Sequence, residues 1–210
     1  MVNSPWTLQL IANEGIPTEN FKVVPLASER APVGKTKPTV ESFSLSRPLR
    51  VLFLGQAIVR KGIHVLMDTA RQLEGKPISF EVVGPIGVDT SGAPNNMKWH
   101  GALPRQIAHT WFDKADVFVL PTLSDGFALT QLESLAHGLP VIATPNCGEV
   151  VEPGHTGWII PPSDSYALAK TLCAILAKPS QLSEQSANCA RRLEHFSLEK
   201  LQDRLLSIFE

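Results

Sequence analysis

Three stretches of the 210-residue chain carry residue types that could do chemistry. The first is Gly55-Gln56-Ala57-Ile58-Val59-Arg60-Lys61-Gly62. Two adjacent cations sit beside glycines, which let backbone come close to a ligand, at the point where a helix should open; that combination suits a phosphate group. The same residues also describe a solvated basic loop whose glycines only serve the turn. The segment is neither a Walker A loop nor G-x-G-x-x-G. The second stretch runs from Pro121 to Glu133. Amides near Gly126 to Leu129 would be helix-start donors able to bind an anion. Asp125 and Glu133 lie eight residues apart, a little over two helical turns if the helix begins near Gly126. A carboxylate can accept from two hydroxyls of a sugar or ribose. The plainer reading makes Asp125 a helix cap and Glu133 a surface residue, although Leu132, Leu135 and Ala136 around it make an unpartnered charge costly. The third stretch, Thr144 to Gly157, is rich in turn residues. Pro145 could fix a turn and Glu149 could orient a cation or hydroxyl, but by itself it reads as a connecting loop.

Other chemistries fit poorly. His64, His100, His109, His137, His155 and His195 show no HExxH or paired spacing, so no metal site is expected. There is no G-x-S-x-G elbow and no Asp-x-Asp pair. Ser197 and Lys200 match S-x-x-K, but Ser197 is placed to cap the last helix.

The elements that must position these loops follow from periodicity. Val51–Leu54, Ile78–Val83, Met97–His100, Val117–Leu120, Val141–Thr144 and Trp158–Ile160 read as short apolar strands. Between them run residues at helical spacing: Ile63 to Leu73, Ile107 to Ala115 with Pro104 near the first turn, Ala128 to Ala136 stopped by Gly138, and Leu168 to Leu176 capped by Ser163 or Asp164. Two more helices close the chain, the last through Leu198, Leu201, Leu205 and Ile208. Alternating strands and helices imply an α/β fold with a parallel sheet covered on both faces. Its ligands bind beyond the strands' carboxyl ends, here 55–62, 84–103, 121–127 and 145–155. Residues 1–48 look different: a short helix at Trp6–Asn13, one strand at Phe21–Pro25, and Pro-, Ser- and Lys-containing loop from Glu29 to Ser46. They read as a linker segment ahead of a domain spanning 49–210.

Nineteen Lys and Arg against twenty Asp and Glu give a net charge of −1. That balance excludes a broad nucleic-acid footprint. No apolar run spans a bilayer, no signal peptide is visible, and three scattered cysteines, Cys147, Cys173 and Cys189, suit a reducing compartment. A cytoplasmic location is the expectation.

At these residues the sequence resembles the carboxyl-terminal, donor-binding half of a GT-B retaining glycosyltransferase of the family 4 (group 1) type. The resemblance covers about Val23 to Glu210. It rests on Gly55…Lys61-Gly62, on Ala115-Asp116-Val117-Phe118-Val119-Leu120-Pro121-Thr122, and on Asp125-Gly126-Phe127…Glu133-Ser134-Leu135-Ala136-His137-Gly138-Leu139-Pro140. It extends through Gly148-Glu149-Val150-Val151 and Gly154-His155-Thr156-Gly157-Trp158. It implies a Rossmann-like, doubly wound half and a nucleotide-diphospho sugar as donor, with no metal cofactor. By the same resemblance Lys61 contacts the diphosphate, with Gly55, Gln56, Arg60 and Gly62 around it. Asp125 holds hydroxyls of the transferred sugar and Glu133 the ribose. Backbone of Gly126, Phe127, Ala128, Leu129 and Thr130 cradles phosphate and sugar, and Gly101 to Leu103 flank the base. Three positions depart from the family pattern. Asp125 replaces the usual Glu, Gln56 the usual Arg, and Asn146-Cys147-Gly148 shortens a Gly-Gly turn. The resemblance further implies a partner amino-terminal half, in cis or in trans, that carries most of the acceptor site and allows peripheral membrane contact. Trp6–Pro25 would join the halves and Leu198–Phe209 would cross back. The rival readings are a nucleotide-sugar-binding module without turnover and, more weakly, a nucleotide-sugar epimerase.

Overall fold

A computed structural model describes residues 1–29, 32 and 34–208. Readings that touch Arg30, Ala31, Val33, Phe209 or Glu210, including the last residue of the crossing helix, lie outside the described residues.

Six parallel strands form one sheet in the order β3-β2-β1-β4-β5-β6. They are β1 Leu49–Leu54, β2 Ile78–Val83, β3 Met97–Gly101, β4 Val117–Leu120, β5 Val141–Ala143 and β6 Gly157–Ile159. All six residues of β2 and all four of β4 are buried. Side chains on both faces are therefore covered, as a parallel sheet requires. Chain order reverses between β1 and β4, the switch point at which such sheets leave a crevice.

The helices are α1 Pro5–Asn13, α2 Ile63–Gln72, α3 Arg105–Lys114, α4 Leu129–Ala136, α5 Ser165–Ala177, α6 Ser180–Glu194 and α7 Leu198–Leu206. α2 turns Ile63, Leu66, Met67 and Ala70 inward and packs with α5, while α4 packs with α6. Phe53, Phe80, Phe112 and Phe118 are fully buried at the centre. This is the Rossmann-like, doubly wound half that the sequence implies.

Three local expectations need correction. Phe21–Pro25 forms no strand; only a single parallel bridge joins Val23 to Val2. Thr144 lies just beyond β5 and Ile160 just beyond β6. α4 begins at Leu129 with Ala128 as its cap, so Asp125 neither caps it nor lies on it. Of the two candidate caps for α5, Asp164 serves, accepting the Ala167 amide at 2.8 Å.

Segment 1–48 is stitched to the body rather than packed around a core of its own. The Lys37 amide donates to Ser186 Oγ at 2.7 Å and its ammonium to the Phe112 carbonyl at 2.7 Å. The Ser28 amide donates to the Phe196 carbonyl at 2.7 Å. Arg47 forms a two-pronged pair with Asp116 at 2.8 and 2.6 Å, and the same carboxylate accepts the Arg50 amide. No helix among the described residues is long and apolar enough to cross a membrane.

Candidate donor site at the sheet switch point

The loops leaving β1 and β4 flank the crevice and are locked to each other. The Arg60 carbonyl accepts the Leu123 amide at 2.9 Å and the Thr122 hydroxyl at 3.0 Å. The Arg60 guanidinium donates to the Ser124 carbonyl at 2.8 Å. Gly62 adopts φ of +78°, and a Cβ there would stand 1.8 Å from the Pro121 carbonyl oxygen. Only glycine suits both the left-handed turn and this approach.

The lock brings Lys61 onto Asp125. The ammonium donates to Asp125 Oδ2, and both side chains are mostly buried, 19% and 15% exposed. Gly55 donates its amide to the Val83 carbonyl at 2.9 Å, and its own carbonyl lies under Gly84. Gln56 is exposed and only its carbonyl is engaged, by the Ile58 amide.

A third loop, from β5, supports the second. The Asp125 amide donates to the Asn146 carbonyl at 2.9 Å, and Asn146 Nδ2 donates to the Leu123 carbonyl at 2.7 Å. The Cys147 carbonyl accepts both the Ala128 amide at 3.1 Å and Gln131 Nε2 at 2.8 Å. Ala128 is therefore spent on structure and has no amide to offer an anion, against the expectation for it. The amides of Gly126, Phe127, Leu129 and Thr130 have no acceptor among the described residues. They lie at and just before the start of α4, in the residues that follow Asp125, the partner of Lys61. Phe127 is buried against Phe196, with ring centroids 5.9 Å apart. The Cys147 thiol, beneath this loop, is pushed up to about 12 by burial and by the Asp125 charge.

Glu133 sits apart from that ion pair, two turns along. Its Oε1 is 3.6 Å from the Arg105 guanidinium and 3.6 Å from His109 Nε2. Arg105 also reaches Glu29 at 3.6 Å. Ser28, Glu29, Leu129 and Leu132 complete a small cavity of about 80 Å³ around the Glu133 carboxylate. Asp125 and Glu133 thus face different cations on either side of exposed Leu129. Arg105 and His109 were not foreseen, though Arg105 directly follows the loop assigned to the base. Thr7 of α1 and Asn3 just ahead of it, which approach Gly126, had no sequence signal because the contact spans the whole first segment. Among the described residues no group of three or more His, Cys, Asp or Glu could hold a metal ion.

Comparison with known proteins places this geometry in context. The solved structure of a sucrose-phosphate synthase from Thermosynechococcus elongatus superposes with a TM-score of 0.77 at 22% identity, over 99% of this chain and 56% of that one. Anabaena HepE, solved with UDP, gives a TM-score of 0.76 at 16% identity, over 99% of this chain and 62% of that one. In sequence, the chain is 28% identical over 166 residues to a putative colanic acid biosynthesis glycosyltransferase, WcaL, of Salmonella typhimurium. The match takes in 70% of this chain and 41% of that protein. It is 28% identical over 200 residues to the amylovoran biosynthesis glycosyltransferase AmsK of Erwinia amylovora, taking in 84% of this chain and 46% of that one. The chain therefore spans less than half the length of these relatives. The sequence pattern of the Glycosyl transferases group 1 family matches residues 48–178, well over half of the chain, and the chain belongs to that family.

Proposed function

We propose that this chain is the donor-binding half of a retaining glycosyltransferase, holding a nucleotide-diphospho sugar for transfer to an acceptor. One observation carries the reading: the Lys61 ammonium is paired with Asp125, directly ahead of four amides at the start of α4 that have no acceptor among the described residues. An ammonium and a cluster of backbone donors together form a seat for a diphosphate.

The chemistry follows from where charge develops. As the bond between sugar and phosphate breaks, the leaving nucleotide diphosphate gains negative charge. Lys61 and the amides of Gly126, Phe127, Leu129 and Thr130 bind that charge more tightly in the transition state than in the ground state. The diphosphate competes with Asp125 for Lys61, and its arrival frees the Asp125 carboxylate to accept hydroxyls of the transferred sugar. Glu133 accepts the two ribose hydroxyls once Arg105 turns from it towards Glu29. The scheme requires no metal ion, because Lys61 and the amides supply the positive charge. Arg60, next to Lys61 on the same turn, holds the Ser124 carbonyl through one guanidinium nitrogen and is the candidate to replace the Arg that Gln56 displaces.

Relatives support this reading. WcaL and AmsK are named as glycosyltransferases of polysaccharide biosynthesis, and HepE has been solved with UDP and with UDP-glucose. Most of the acceptor groups belong, in this proposal, to a partner half supplied in cis or in trans. Three unpaired thiols fit a cytoplasmic setting. The exposed Gln56 favours a second reading, a donor-binding module without turnover.

Calorimetry with UDP, GDP, UDP-glucose and GDP-mannose tests the proposal, with Lys61→Ala as control. Binding of one nucleotide series by the wild type, weakened at least tenfold in the variant, upholds it; equal binding by both proteins refutes the role of Lys61. Release of sugar from the bound donor separates the enzyme from the silent module.

A further inference from the structure

We propose that the cleft between α1 and the loop joining β5 to β6 is a saccharide subsite for the acceptor, taking neutral pyranose rings. The acceptor role, though not saccharide binding itself, rests on the donor reading above. The cleft encloses about 630 Å³, within the range of roughly 300–1,000 Å³ typical of small-molecule sites. Its argument lies in six residues: Trp6, Gln9, Gly148, Glu149, Glu152 and Arg192.

Trp6 and Gln9 stand three apart on α1 and so share one face of the helix. Trp6 is only half-buried, so an aromatic surface faces the cleft. Opposite, Glu149 and Glu152 stand three apart on the loop. Arg192 lines the same wall and ties the loop down: its Nε donates to the Val150 carbonyl at 2.8 Å and its Nη2 to the Glu149 carbonyl at 2.5 Å. It also lies over the Phe196 ring, 5.2 Å from the centroid. Arg192 thus fixes the loop through two of its three nitrogens. The polar groups at the cleft are the Glu149 carboxylate, the Glu152 carboxylate, which Arg191 approaches at 3.5 Å, and the Gln9 amide, whose Nε2 donates to Asn13 at 3.0 Å and whose oxygen remains an acceptor. Such a set repels phosphate and suits paired hydroxyls, while an indole face suits the C–H face of a pyranose.

The cleft shares a wall with the donor loop. A Cβ on Gly148 would lie 2.7 Å from the Phe127 ring, and Thr7 of α1 and Asn3 just ahead of it reach Gly126. A sugar in the cleft therefore lies next to the loop that carries Asp125.

The test is nitrogen-15 chemical-shift mapping of the whole chain with maltose, cellobiose and lactose at millimolar concentration, with UDP titrated separately. At least one disaccharide is expected to move the amides of Glu149 to Glu152 and the Trp6 indole signal. Glu149→Gln and Glu152→Gln together should weaken that saccharide about tenfold, the scale of a charge-assisted hydrogen bond, with UDP affinity unchanged. Trp6→Ala should abolish the response. Should Trp6→Ala disturb α1, the glutamine variants decide the matter alone, since they keep size and shape. Shifts confined to residues 126–130, no shift with any of the three sugars, or undiminished binding by the glutamine variants would each overturn the subsite. A chain that binds a disaccharide in the cleft but no nucleotide would keep the saccharide site and overturn the donor reading.

Discussion

Lys61 and Asp125 are 64 positions apart in the chain, yet their side chains pair directly across the crevice between β1 and β4. The pair is mostly buried, so neither charge can lose its partner cheaply. In the proposed reaction the diphosphate replaces the carboxylate at Lys61. Asp125→Asn should therefore bind free UDP at least as tightly as the wild type, because the competitor is weakened, while losing sugar-dependent affinity. Comparison of UDP with UDP-sugar by calorimetry reads the two effects separately.

Gly62→Ala is expected to be among the most damaging small substitutions. A methyl group would sit on the Pro121 carbonyl and demand a left-handed backbone. Strain and overlap together cost about 3 kcal/mol, readable as a shifted denaturant midpoint. Donor affinity should fall as well, because the displaced turn carries Lys61.

The Asp116 carboxylate, 7% exposed, accepts both prongs of Arg47 and the Arg50 amide, and these bonds raise Arg47 above the usual guanidinium range. Asp116→Ala leaves the Arg50 amide and both prongs of Arg47 without their acceptor at the start of β1, a loss of about 2 kcal/mol. Urea unfolding measures it.

Acid stability should depend on Glu81. Burial alone would push its carboxyl up, but hydrogen bonds from Ser79 and His100, with Lys98 nearby, outweigh that and hold it below its ordinary 4.5. A depressed native value stabilises the fold above the unfolded value and is lost as pH falls through the native one. Ser79→Ala removes one of those bonds. Its stability deficit should be greatest near neutral pH and should shrink below about pH 4.3, the ordinary range for Glu; unfolding midpoints across that interval check the sign.

Thiol chemistry gives a simple count. Burial pushes Cys147 and Cys189 up to about 12, and thiols held protonated react slowly. Native protein treated with Ellman's reagent at mildly alkaline pH should lose Cys173 first, and unfolded protein all three. Rapid native labelling of Cys147 would contradict the packing beneath the donor loop.

The sheet was legible because each strand is a short apolar run ended by a turn residue, and Ile78–Val83 and Val117–Leu120 match their strands residue for residue. Lys61, Asp125 and the amides after it were legible for a related reason: loops at the carboxyl ends of parallel strands are where the fold leaves donors unpaired. The helix read over Ala128–Ala136 opens one residue later, at Leu129, and Gly126, offered as a possible opening, lies outside it. Phe127 and Ala128 are drawn aside by Phe196 and the Cys147 carbonyl, partners remote in sequence. The same remoteness hid Arg105 beside Glu133 and α1 beside Gly126. Phe21–Pro25 failed as a strand because a strand needs neighbours, and among the described residues Val23 meets only Val2.

The Arg60 carbonyl, shared by two donors from the β4 loop, makes the cation turn and the amide cluster one stiff body. Its ordering entropy is met when the chain folds, not when a ligand arrives, so association loses little freedom. A nucleotide bound there should protect few amides from hydrogen exchange beyond those it touches, and the rate at which it leaves should report broken contacts rather than a loop that must first come loose.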